Sequence, residues 1–180
     1  MIRTVSLFLA VYLALIAQEF LPPLPFFDNA RLLLVPVIFC YGALWLSFPV
    51  MLGLALWTGL LNDLLNLHIV GDRVEIGLGW SMLYYVFAGT ILQALRGAGG
   101  GPRWEIHGAA SAVVTFFLLL GQYLMVCLRR ESFHFDGTVA WHIAGPPIAA
   151  LFLAPVVYFF FQLLPGGPAT APGRGRWMRS

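Results

Sequence analysis

Long apolar runs broken by short polar ones set the pattern of this chain. Six stretches, roughly 4–21, 32–48, 50–66, 78–95, 108–128 and 143–164, are apolar over about the 20 residues that a helix needs to cross a bilayer core. The runs are continuous rather than alternating, which argues against barrel strands. Backbone groups in lipid must bond within their own segment, so the runs predict helices. The pattern therefore predicts an all-α integral membrane protein, a compact bundle of about six transmembrane helices spanning residues 1–164.

The breaks between runs refine this. Pro22, Pro23 and Pro25 place a loop at 21–31, because proline cannot continue a helix. A single helix over 32–66 would be on the order of 50 Å long, far more than the bilayer core. A break at Ser47-Phe48-Pro49 resolves this as two short antiparallel neighbours, with a re-entrant pair as the other option. His68 to Glu75 reads as a polar turn. The fourth helix carries Ser81, Tyr85, Gly89 and Gln93 on one i+4 row, and Arg96 ends it. Residues 97–103 form a Gly-rich linker, followed by Trp104 as an interfacial anchor. The fifth helix carries Ser111, Thr115 and Gln122 near one face, and Arg129 and Arg130 close it. A loop is expected over 129–142, with Pro146 and Pro147 in the first turn of the last helix and a kink at Pro155. Residues 165–180 read as a disordered, basic Pro/Gly-rich tail whose arginines can meet anionic lipid headgroups. The opening run also resembles a signal peptide, but Leu15 spoils the small-residue cleavage pattern near Ala17.

Composition sharpens the class. Apolar residues make up 60% of the 180, and charged residues only 10%, well below the usual quarter. The net charge of +2 and the scattered arginines give no nucleic-acid footprint. Two cysteines, Cys40 and Cys127, imply no disulfide framework. With six spans both termini share a side. Arg3, Arg96, Arg103, Arg174, Arg176 and Arg179 then face Arg31, Arg73, Arg129 and Arg130 across the membrane, which favours N-in/C-in.

Candidate chemistry concentrates in Trp57–Leu67, where Asn62, Asp63 and Asn66 interrupt an apolar run. A carboxylate beside a hydrophobic segment is costly to desolvate. On a helix Leu52, Leu56, Gly59 and Asp63 share a face, and Gly59 allows a neighbouring helix to come close. Asp63 can end the span and cap the next segment, join a helix–helix contact, or serve an ion or proton. His134, Asp136 and His142 match no strong zinc spacing. No Gly-rich phosphate loop and no nucleophile elbow occurs, so no metal, cofactor or catalytic residue is expected.

The stretch Gly59-Leu-Leu-Asn-Asp63-Leu64 resembles the Gly-Leu-Leu-x-Asp-Leu motif in the third span of the rod shape-determining MreD family. Chain size, span number, Gly71 and the aromatic-rich helix 78–95 fit the same family. The resemblance implies a non-enzymatic component of the bacterial inner membrane that serves the cell-elongation complex. The partners it implies are an MreC-like protein, penicillin-binding protein 2, a RodA-like synthase and MreB filaments. It places Gly59, Leu60 and Asp63 at the family motif, with Leu52 and Leu56 on the same helix, as a helix interface for a partner.

The size and span number are also similar to the substrate-binding components of energy-coupling-factor importers. That alternative implies a small-molecule pocket near Asp63, His68, Tyr84 and Tyr85, with Ala10 and Ala14 as a docking face.

Overall fold

The structure is a computed structural model that describes residues 2–23, 25, 29–65, 69–70, 73–74, 79–98, 103–131, 133 and 135–163. His68, Gly71, His134, the middle of the Gly-rich linker and the tail 165–180 lie outside the described residues.

Six helices follow one another: α1 (Ile2–Phe20), α2 (Val35–Trp45), α3 (Phe48–Leu65), α4 (Trp80–Ala98), α5 (Trp104–Arg130) and α6 (Gly137–Leu163). Between α3 and α4 lies a small antiparallel pair, β1 (Ile69–Val70) and β2 (Arg73–Val74), with Ile69 opposite Val74. Among the described residues, α3, α5 and α6 are long and apolar enough to cross a membrane. Thr4–Phe20 and Val35–Trp45 are shorter apolar helices. Leu9, Phe87, Phe117, Phe152 and Phe160 each expose more than half of their surface, an apolar exterior that is compatible with a membrane.

Several boundaries differ from the sequence pattern. The second helix has only 11 residues, about 16 Å of axis. Pro36 sits in its first turn, so Leu32 to Leu34 stay outside the helix. The break before α3 comes at Leu46–Ser47, which puts Pro49 in the first turn of α3. The last helix starts earlier than the sequence suggests. Asp136 accepts a hydrogen bond from the Val139 amide (2.9 Å), and its carbonyl accepts the first helical bond from Ala140. This N-cap starts α6 at Gly137 and carries Pro146 and Pro147 into the helix interior, not its first turn. The expected loop 129–142 shrinks accordingly. Glu131 ends α5 in a left-handed conformation (φ 50°).

The main core joins α1, α2, α3 and α4, with Val114 and Leu118 of α5 and Tyr158 and Phe161 of α6. The fully buried Tyr41 is its aromatic centre. Its ring stacks on Phe161 at 4.8 Å and meets the edges of His107 and Tyr158. The i+4 row of α4 is the inward one: Ser81, Tyr85 and Gly89 are buried. The ring of Tyr85 packs edge-on against Phe39 of α2, and a side chain at Gly89 would run into Met51 and Phe39.

Candidate functional site

The polar interruption at the end of α3 forms a built joint with the start of α4. Gly79 is the residue before α4, and its carbonyl accepts the first helical bond, from the Leu83 amide. Its φ of +101° is a left-handed conformation that glycine adopts without strain. Glycine, however, offers no side chain to cap the orphan amides of the first turn. The Asp63 carboxylate replaces that cap from another helix. One oxygen accepts from the Gly79 amide at 2.6 Å and the other from the Ser81 amide at 3.2 Å. The negative charge also lies at the positive end of the α4 dipole.

The neighbours of Asp63 complete the joint. The Asn62 amide donates to the Ser81 hydroxyl at 2.9 Å. One turn earlier, Gly59 lets the two backbones touch. A Cβ there would strike the Met82 backbone and lie 2.8 Å from the Ser81 carbonyl carbon. Thr58 is fully buried, and its hydroxyl is bonded to the Leu54 carbonyl within its own helix. Asn62 and Asp63 are each only 6% exposed, so these polar groups are nearly dry and depend on one another.

The five positions singled out in the sequence do not share one environment. Gly59 and Asp63 face α4 of the same chain. Leu52 is half-buried against the main core, and Leu60 is half-buried. Leu56 is exposed and edges a shallow cavity of about 470 Å³, shared with Gly79, Met82, Leu83, Val86 and Met125. Capping the next segment and making a helix–helix contact are thus one arrangement here, because both carboxylate oxygens of Asp63 are engaged by α4.

Of the groups named for a small-molecule pocket, His68 lies outside the described residues and the others are engaged in the bundle. The Tyr84 hydroxyl donates to the Val114 carbonyl, Tyr85 is buried in the core, and Asp63 is held at the α4 cap. Ala14 is buried and Ala10 packs against the main core, so this pair faces into the bundle. Cys40 and Cys127 are both free. His142 is bonded to the Thr138 carbonyl and Asp136 is the α6 cap. Among the described residues, no group of three His, Cys, Asp or Glu side chains could hold a metal ion.

Two sets of polar contacts carry no signal in the apolar pattern. Gln93 donates to the carbonyls of Ala43 (2.7 Å) and Leu46 (2.9 Å), and Arg96 donates to Leu46 (3.1 Å). Together they satisfy carbonyls at the C-terminus of the short α2. The second is His107, 1% exposed, whose Nε2 lies 3.0 Å from the Val37 carbonyl. The signal for it was its place in an i+4 row with Ser111 and Thr115, both of which are buried and bonded back to the preceding turn. Comparison with family models, curated proteins and solved structures finds no match for this chain.

Proposed function

We propose that this chain is a non-enzymatic, multi-pass component of the bacterial inner membrane that serves the cell-elongation complex. In this reading it binds an MreC-like protein and scaffolds or regulates penicillin-binding protein 2 and a RodA-like synthase. The observation that carries the reading is the use of Gly59-Leu-Leu-Asn-Asp63-Leu64. Three of the six residues that resemble the MreD motif, Gly59, Asn62 and Asp63, lock α3 to α4 by backbone contact and paired polar groups. In lipid, close packing and polar contacts decide which helices associate, since the tails are as apolar as leucine.

All six helices cross the membrane in this reading, with both termini on the cytoplasmic side. The short α2 crosses in company with α3, its inner end held by Gln93 and Arg96. Because Gly59 and Asp63 are occupied by α4, the partner helix lies over the outer edge of the joint. There Leu56 is exposed and lines the cavity together with Met82 and Met125. The joint sets the angle between α3 and α4, and so the shape of that edge.

Co-purification from native membranes in a mild detergent tests the reading. The MreC-like protein should accompany the wild-type chain, and Leu56→Trp should weaken the association while the chain still folds. A wild-type chain that emerges without any such partner sinks the proposal.

A further inference from the structure

On its other side α4 stands apart from α5 and leaves a groove of about 740 Å³. Its walls are apolar, with Ala88, Leu92, Ala110 and Val114 among them. One end is marked by Arg96, the only charged residue among the described residues that line the groove. The other end is closed by Trp80, whose indole lies so close to Gly121 of α5 that a Cβ there would stand 3.1 Å from the ring. The Tyr84 hydroxyl, bonded to the Val114 carbonyl, ties the helices together within the groove.

We propose that this groove is a binding site for a single anionic phospholipid, its phosphate against Arg96 and an acyl chain running toward Trp80. The proposal rests on the membrane-embedded reading of the fold and not on the elongation-complex reading. Length and charge select this occupant. From Arg96 to Trp80 the helix axis covers about 24 Å. Half of a complete bilayer, headgroups included, is about 21 Å, the reach of one lipid in one leaflet. A partner's transmembrane helix must cross a core of about 30 Å, and the closed Trp80 end stands in its way. The volume falls within the range of built small-molecule sites, roughly 300–1,000 Å³. Arg96 spends one nitrogen on the Leu46 carbonyl and is half-exposed, so the remaining donors of its fork can meet a phosphate.

The test uses the full chain in nanodiscs of equal phosphatidylglycerol and phosphatidylcholine, followed by native mass spectrometry of the released protein. One retained lipid per chain is expected, with phosphatidylglycerol favoured about fivefold, the effect of a single cation near an anionic headgroup. Arg96→Gln should remove the preference and Arg96→Lys should keep most of it. Arg96→Gln also breaks the bond to Leu46, so Ala110→Phe provides an independent arm. It fills the groove without touching a hydrogen bond and should abolish retention in a chain that unfolds like wild type. Retention unchanged by Ala110→Phe, or equal retention of the two lipids by wild type, overturns the proposal. So does a photoreactive residue at Ile91 that labels polypeptide instead of lipid in native membranes. Loss of the MreC-like partner from pull-downs would sink the functional reading and leave the lipid count untouched.

Discussion

The two sides of α4 form contrasting interfaces. Toward α3, a glycine lets the backbones meet, and Asn62 and Asp63 bond to groups at the start of α4. Toward α5, one tyrosine hydroxyl bridges a groove whose walls are apolar up to Arg96 at its end. Both sides carry large apolar side chains, so hydrophobicity does not separate them. In lipid it has no power to, because an apolar side chain gains nothing by leaving acyl chains for a neighbouring helix. What separates the sides is backbone approach and the satisfaction of orphan amides. A helix start with glycine before it must find an acceptor elsewhere, and α4 finds one in α3.

Mutations can break this contrast, and unfolding in mixed mild-detergent and SDS micelles, followed by tryptophan fluorescence, reads each one. Gly59→Leu should cost the most, about 3 kcal/mol, because its side chain must displace the Met82 backbone. A tolerated leucine there would mean that the helices do not meet as described. Asp63→Ala should cost about 2 kcal/mol, since it leaves the buried Ser81 amide and the part-buried Gly79 amide without their acceptor. Asp63→Asn keeps one acceptor oxygen and should recover part of that loss. Equal losses for alanine and asparagine would mean that the one oxygen asparagine keeps contributes nothing. Gln93→Leu should cost about 1 kcal/mol, as it removes both Gln93 bonds at the end of α2 and leaves Leu46 to Arg96. Tyr84→Phe should cost least, about 0.6 kcal/mol, since it removes one interhelical hydrogen bond and no packing. If Tyr84→Phe proved as damaging as Asp63→Ala, the two sides of α4 would not differ as the geometry says.

Much of the helical layout was legible in the sequence. The third run, 50–66, matches α3 (Phe48–Leu65), and the fourth, 78–95, matches α4 (Trp80–Ala98). Apolar length marks a helix well where no polar residue belongs to its end. It fails where polar residues extend the helix. The stretch Trp104-Glu-Ile-His107 belongs to α5, and its histidine is buried because α2 supplies a carbonyl. Prolines misled at α6, since an N-cap at Asp136 started the helix well before Pro146. Spacing alone put Leu52, Leu56, Gly59 and Asp63 on one face, but α4 covers only Gly59 and Asp63 while Leu56 stays exposed.

By itself, the sequence determined that the chain is helical and apolar, where most of its helices lie, and that Asp63 needs a partner. Those follow from local quantities: run length, proline and glycine positions, and the cost of an unsatisfied carboxylate. The identity of that partner was decided only by tertiary structure. So were the carbonyls at the end of α2 that Gln93 and Arg96 satisfy, and the groove on the far side of α4. The physical reason is that orphan backbone groups carry no side-chain signature. An amide at Ser81 and a carbonyl at Leu46 look like any others along the chain, and only the arrangement of helices determines which side chain reaches them.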